Sequence, residues 1–310
     1  MSRPHPATSF RERLTKVAAE VEATLDRLLS VQPGPGEITR PERLVQSMRY
    51  ATLGGGKRLR PFLVVEAARL FGAEGANVLR AAAAIEMVHC YSLVHDDLPG
   101  MDDDDLRRGR PTVHKAFDEA TAILAGDGLL TYAFDVIAAE ATHLDAGVRA
   151  ELAVGLARAA GFGGMAGGQA LDLAAEQATA PLAAAEVERL QAMKTGALLC
   201  YAVEAGAIVG GADPAARATL VRYGRALGAA FQIADDILDA EGDEATLGKR
   251  AGKDAGRNKA TLVAALGLED AKRVRDRLAG EAEAALATAS FPASTATLIE
   301  AARFVAARTS

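Results

Sequence analysis

An all-α chain, built as one large helical bundle around a central cavity, is expected from three features of the 310 residues. Apolar residues recur at helical spacing almost from end to end, and no convincing alternating strand interrupts them. Stretches such as Ala81–Val94 and Ala197–Val209 are apolar nearly all round, so they belong inside a bundle with other helices as a shell. The composition is 50% hydrophobic but only 5% aromatic, with no Trp, and Ala and Leu are strong helix formers.

The elements follow in order. Thr8 to Ser30 form a first amphipathic helix, stopped by Pro33-Gly34-Pro35-Gly36. Thr39-Arg40-Pro41-Glu42 opens a second, with Thr39 or Arg40 near the cap and Pro41 in the first turn; Gly54-Gly55-Gly56 breaks it. Further helices are expected over Pro61–Phe71, Ala76–Asp97, Thr112–Leu124, Gly128–His143, Gly147–Ala160 and Gly164–Gln177. Ala183–Met193, Thr195–Val209, Pro214–Asp239, Lys259–Leu266, Glu269–Ala289 and Ser294–Ala307 complete the set. Glycines inside helices, such as Gly155, Gly167, Gly206 and Gly228, read as close-packing points and not as a linker, so residues 1–310 are expected to form a single domain. There is no internal repeat and no low-complexity segment.

Charge and cysteine usage exclude several classes. A net charge of −6 and a pI near 5.5 leave no basic stripe for nucleic acid. Cys90 and Cys200 both lie in apolar helical stretches, as free thiols do in a reducing compartment, so a cytoplasmic location is expected. The first residues have no apolar signal region behind them. No membrane span is expected either, since the most apolar run, Leu198 to Ala212, contains Glu204.

Two acidic clusters carry the chemistry. In Asp235-Asp236-Ile237-Leu238-Asp239, the first and last aspartates are four apart and share a helix face. Such a pair can ligate a hard cation such as Mg²⁺, which fills its shell with water and phosphate oxygens. A solvated acidic turn is the blander reading, opposed by the apolar neighbours Phe231, Ile233, Ile237 and Leu238. In His95-Asp96-Asp97-Leu98-Pro99-Gly100-Met101-Asp102-Asp103-Asp104-Asp105, Pro99-Gly100 ends a helix and sends Asp102 to Asp105 onto a loop. Acids at a helix C-terminus oppose its dipole, so six aspartates within ten residues need a cation more than they serve the fold. His95 beside them is expected to be a packed, hydrogen-bonded histidine.

Arg107, Arg108 and Arg110 come next, and metal-binding carboxylates followed by guanidinium forks suit a polyphosphate. Gly54-Gly55-Gly56-Lys57-Arg58-Leu59-Arg60-Pro61 is a glycine loop opening a helix, where backbone N–H groups bind anions. It lacks the spacing and the Ser or Thr of a nucleotide-binding P-loop, and alone it would be a solvated loop.

The run Tyr91-Ser92-Leu93-Val94-His95-Asp96-Asp97-Leu98-Pro99-Gly100-Met101-Asp102-Asp103-Asp104-Asp105-Leu106-Arg107-Arg108-Gly109 resembles the first aspartate-rich motif of the trans-isoprenyl diphosphate synthases, in its bacterial form. Asp235 to Asp239 resembles the second. Gly55 to Pro61, Gly167-Gly168-Gln169-Ala170-Leu171-Asp172, Lys194-Thr195-Gly196 and Phe231-Gln232 stand in the family's order, and the likeness spans roughly Leu44 to Leu268.

The resemblance implies an isoprenoid synthase fold and a prenyltransferase closest to the bacterial farnesyl type. Asp96, Asp102 and Asp235, assisted by Asp239, would hold three Mg²⁺ ions, with Mn²⁺ as a substitute. Arg107, Lys194 and Lys249 would contact the diphosphate of an allylic substrate. Gly56, Lys57, Arg60, His89 and Arg108 would hold that of isopentenyl diphosphate. Thr195 and Gln232 would face the allylic cation, and Lys259 matches a further family lysine, although Leu262-Val263 replace the usual aromatic-proline continuation. A homodimer acting on small diphosphates is implied.

Tyr91 lies five residues before Asp96, about 7–8 Å deeper along a helix, where the resemblance makes an aromatic the floor of a C15 pocket beside the small Ser92. Geranylgeranyl or geranyl diphosphate synthesis remains open as an alternative. A class I terpene cyclase fits less well, because Lys57, Arg60 and Arg108 supply a second diphosphate site. A non-catalytic helical interaction protein would be expected to have lost an Asp or Arg from these motifs, and none is missing.

Overall fold

The computed structural model describes residues 9–241 and 260–308. Fourteen α-helices make up most of this, in agreement with the periodicity. α1 (Phe10–Leu28) is started by a capping box in which Ser9 and Glu12 bond to each other's backbone N–H. It buries Val17, Val21, Thr24 and Leu25, one stripe at helical spacing. α2 (Glu42–Thr52) begins directly after Pro41. α3 (Leu59–Arg69), α4 (Ala76–Asp96) and α10 (Ala197–Val209) are the helices without a polar face, and they form the centre. α6 (Glu119–Ala138) packs on α4, and α11 (Pro214–Glu241) packs on α10 and on α13 (Leu268–Ala287). α5 (Val113–Ala116), α7 (Ala146–Ala160), α8 (Met165–Glu176), α9 (Ala184–Gln191), α12 (Leu262–Leu266) and α14 (Ala296–Ala306) complete the shell.

Glycine makes the centre possible. A Cβ on Gly206 of α10 would lie 2.2 Å from the Val64 carbonyl oxygen of α3, so the two backbones touch. Arg58, in the left-handed region (φ 48°) just before α3, is buried with its guanidinium on Glu86 at 2.7 Å and Glu22 at 3.0 Å. A smaller apolar cluster of Val187, Ile233, Ile237, Leu262 and Ala271 ties α9, α11, α12 and α13 together beside the main core.

Three departures from expectation all lie near the acidic clusters. The helix expected over Thr112–Leu124 is split at Phe117-Asp118 into α5 and the start of α6, while the expected break between Leu124 and Gly128 does not exist, because α6 starts at the Asp118 cap and runs straight through. Gly126 is there for close approach: a Cβ on it would meet His95 Nε2 at 2.1 Å, and that nitrogen sits 3.0 Å from the Ile123 carbonyl. His95 is thus packed against α6, as expected. Two short antiparallel strands, β1 (Leu106–Arg107) and β2 (Arg110–Pro111), form a hairpin that periodicity could not reveal. Its turn residues Arg108 and Gly109 both have positive φ (53° and 73°), as a two-residue primed turn requires. Finally, Ala192–Gly196 is a single π turn that joins α9 to α10 where a break was expected, and it carries Lys194 and Thr195.

Two helices pass for membrane spans by length and composition alone, as buried bundle helices also do. Glu119–Ala138 and Ala184–Val209 are both long and apolar enough to cross a membrane. The second is 67% buried and belongs to the bundle centre, while the first is 39% buried.

Gly206→Ala is expected to cost about 2–3 kcal/mol in urea denaturation, because the added methyl meets backbone and not a movable side chain. A loss below about 0.5 kcal/mol would contradict the close approach of α3 and α10.

Candidate active site

At the end of α4 the chain turns back under its own last carbonyls. Asp102 N–H donates to the Asp96 carbonyl at 2.8 Å, and Asp104 N–H to that of Asp97 at 3.2 Å. These bonds satisfy helix-end acceptors and bring the loop aspartates beside Asp96. Burial pushes the Asp96 carboxyl up to about 6; Lys194 and Arg107 pull it down, while Asp102 and Asp97 push it further up. Asp97 is buried and takes Arg107 Nε at 3.0 Å, and Arg107 also lies 3.6 Å from Asp104. The hairpin thereby holds Arg107 against the first cluster.

On α11 the aspartates diverge. Asp235 Oδ1 is 2.8 Å from Arg308 Nη1, and that guanidinium stacks over Phe231 at 4.5 Å. Asp239 is exposed, one turn further on. Asp236 is 6% exposed and takes three N–H donors: Gln191 Nε2 at 2.7 Å, Gln232 Nε2 at 3.0 Å and Leu262 N at 3.2 Å. Burial pushes it up to about 6 against the pull of those bonds. On the π turn, Lys194 Nζ donates to Asp172 Oδ2 at 2.5 Å, and Thr195 Oγ1 donates to Gln232 Oε1 at 2.5 Å.

Two cavities meet here. One, of about 490 Å³, is lined by Lys194, Thr195, Gln232, Asp235, Asp239 and Arg107 among others. The other, of about 540 Å³, is lined by Gly56, Lys57, Arg58 and Phe304. Arg60, His89, Arg108, Phe231 and Arg308 line both, so the spaces are continuous. Burial, and then Arg60 and Arg108, hold the His89 imidazole well below its usual range, hence neutral. Burial and Arg308 lower Lys57. Arg60 Nε is buried without a hydrogen-bond partner, and an orphaned guanidinium donor in a cationic cavity suits an anion.

Residues 41–289 match the sequence pattern of the polyprenyl synthetase family. The chain belongs to that family. It is 47% identical to farnesyl diphosphate synthase of Geobacillus stearothermophilus over 89% of this chain and 90% of that one. It is 42% identical to a chloroplastic geranylgeranyl pyrophosphate synthase of Catharanthus roseus over 87% of this chain and 75% of that one. The crystal structure of an FPP/GFPP synthase from Zymomonas mobilis superposes with a TM-score of 0.84 at 44% identity, covering 96% of this chain and 99% of that one. The geranyltransferase structure from Legionella pneumophila gives 0.82 at 31% identity, covering 96% of each. The all-α isoprenoid synthase fold of the prenyl synthases is therefore the fold of this chain.

Within that family framework, most residues expected from sequence gather at the two cavities: Lys57, Arg60, His89, Arg107, Arg108, Lys194, Thr195, Gln232, Asp235 and Asp239. Asp96 and Asp102 line neither cavity; Asp96 is within electrostatic reach of Lys194 and Arg107, which line the first, and of Asp102. Tyr91 and Ser92 lie deeper along α4, outside the lining of either cavity; the Tyr91 ring meets His95 edge-on at 5.8 Å, and Ser92 Oγ donates to the His89 carbonyl. Lys249 and Lys259 lie outside the described residues. Sequence reasoning gave no role to Asp172, Gln191, Asp236 or Arg308. Asp172 sat inside a family-like segment, but Gln191 and Arg308 carry no local signal, because only the fold brings them here.

Folded Asp96 binds a proton more tightly than an unfolded aspartate, so its ionisation weakens the fold as pH rises from about 4 through about 6. Asp96→Asn is therefore expected to stabilise the protein in chelator by about 1–3 kcal/mol at pH 7.5, with almost no gain at pH 4. Equal effects at both pH values in urea denaturation would contradict burial as the cause.

Proposed function

We propose that this chain is a trans-prenyltransferase. It condenses isopentenyl diphosphate with dimethylallyl and then geranyl diphosphate to make farnesyl diphosphate, within a single domain spanning residues 1–310. The observation that carries this reading is the junction of an acidic, lysine-bearing cavity with a cationic one at His89, Arg60 and Arg108. A transferase with two diphosphate substrates needs two such places, and a cyclase needs one.

The allylic diphosphate enters the acidic cavity, where Lys194 and Arg107 meet its oxygens, with Lys249 assigned to it by family likeness. Asp96, Asp102 and Asp235, assisted by Asp239, are the residues that would hold three Mg²⁺ ions, or Mn²⁺ in their place. Among the described residues no three His, Cys, Asp or Glu converge on one point. Mg²⁺ takes one or two carboxylates and completes its shell with phosphate oxygens and water. The raised Asp96 carboxyl fits as well, since burial and the neighbouring carboxylates outweigh the pull of Lys194 and Arg107. When bound, the metal supplies positive charge that stabilises the departing diphosphate.

Isopentenyl diphosphate is held by Gly56, Lys57, Arg60, His89 and Arg108, which leaves its double bond facing the allylic carbon. As the C1–O bond breaks, the oxygens of Thr195 and Gln232 face the developing cation. The double bond attacks, and the departed diphosphate accepts the proton released. The apolar helices α4 and α6 exclude water that would quench the cation. Lys259 remains assigned by family likeness alone.

Tyr91 is proposed as the floor that stops growth at C15, with Ser92 beside it. The geranylgeranyl relative from Catharanthus roseus keeps C20 as the second reading. A homodimer is proposed through the apolar face of α6, where Ile123 and Leu124 are 45% and 56% exposed. A cytoplasmic location is supported by two free cysteines, one of them buried.

The protein is expected to convert isopentenyl diphosphate and a C5 or C10 primer in Mg²⁺ to a C15 product, followed by chromatography of the dephosphorylated alcohols. No elongation with any primer would leave a non-catalytic role. Tyr91→Ala is expected to shift the main product to C20 or longer, and an unchanged C15 product would remove the floor assignment.

A further inference from the structure

The buried Asp236 belongs to no substrate or metal position described above, yet it accepts three hydrogen bonds. An ionised carboxylate can only accept, and its two oxygens take Gln232 Nε2, Gln191 Nε2 and the Leu262 backbone N–H. This settles which way the Gln232 amide faces. A primary amide has one donating end and one accepting end, and the opposite orientation would set two oxygens against each other. With Nε2 held by Asp236, the Gln232 oxygen is left on the side of Thr195, whose hydroxyl donates to it at 2.5 Å. Thr195 then spends its proton inward, and its lone pairs face the cavity that both residues line.

We propose that Asp236 is a positioning residue for prenyl transfer: it orients Gln232, and through it Thr195, so that oxygens and not N–H groups face the developing allylic cation. The proposal rests on the prenyltransferase reading and adds to it. The sequence Thr195 O–H to Gln232 oxygen, then Gln232 N–H to Asp236 carboxylate, runs in one direction and starts from a buried charge. Each bond polarises the next. If the amide were reversed, its N–H groups would point toward the site and oppose the positive charge that forms there.

The test is a double-mutant cycle with a swap. Asp236→Asn places an amide where the carboxylate was and permits Gln232 to reverse. It is expected to lower kcat about 10- to 100-fold, the usual scale for the partner of a functional group, with KM for both diphosphates within about threefold. In a Gln232→Leu background the same change is expected to cost less than about threefold more, because there is no longer an amide to orient. In Asp236→Asn combined with Gln232→Glu, amide and carboxylate exchange places along one hydrogen bond and an oxygen again faces Thr195. That variant is expected to recover at least about tenfold in kcat over Asp236→Asn alone.

An equal loss in both backgrounds, a loss confined to KM, or no recovery in the swap overturns the proposal. Asp236 would then act only by anchoring Leu262. Should Asp236→Asn fail to fold, the swap is compared with Gln232→Glu alone, and the proposal requires the swap to be the faster of the two. An inactive wild-type protein would overturn the prenyltransferase reading itself, a result distinct from an active enzyme whose cycle is additive.

Discussion

A carboxylate taken out of water has to be answered by something positive or by donors, and this constraint organises the molecule. Burial drives both Asp96 and Asp236 up to about 6, but the chain answers them differently. Asp236 is satisfied by protein N–H groups, and its charge becomes a fixed anchor. Asp96 sits among other carboxylates with Lys194 and Arg107 only partly compensating, and Asp235 leans on Arg308. In the proposed function, a cation and a diphosphate would add to the compensation of this rim.

Every element near the rim serves that arrangement. The loop after Pro99 caps the end of α4 and returns Asp102 to Asp96. The hairpin, with its two positive-φ residues, delivers Arg107 to Asp97 and turns Arg108 toward the cationic cavity. The π turn before α10 advances Lys194 and Thr195 into the space, where Asp172 and Gln232 hold them. Behind the rim, the backbone contact at Gly206 and the apolar faces of α3, α4 and α10 form a rigid floor.

Much of this was legible in the residues alone. Most helices followed from periodicity within about a turn at their ends, although Thr112–Leu124 is split and α6 ends at Ala138 and not His143; the acidic clusters and basic loop marked the site without its geometry. What escaped has definite causes. Gly126 and Gly128 look like a break by local rules, yet at Gly126 the missing side chain makes room for His95. A two-residue strand pair has too few positions to display a period, and a π turn is one extra residue in an otherwise normal pattern. Asp236 was hidden by its neighbours: in a run of aspartates, sequence does not distinguish the one that turns inward. Arg308 reaches the site from the far end of the chain, through a contact that only the folded bundle creates.

The central claim is that the two clusters are halves of one cation and diphosphate site. Mn²⁺ binding, followed by electron paramagnetic resonance with and without inorganic diphosphate, tests it most directly. The account predicts weak binding by the protein alone and strong binding with diphosphate, lost in both Asp96→Ala and Asp235→Ala. Strong Mn²⁺ binding without diphosphate, or binding that survives when either aspartate is removed, would contradict it.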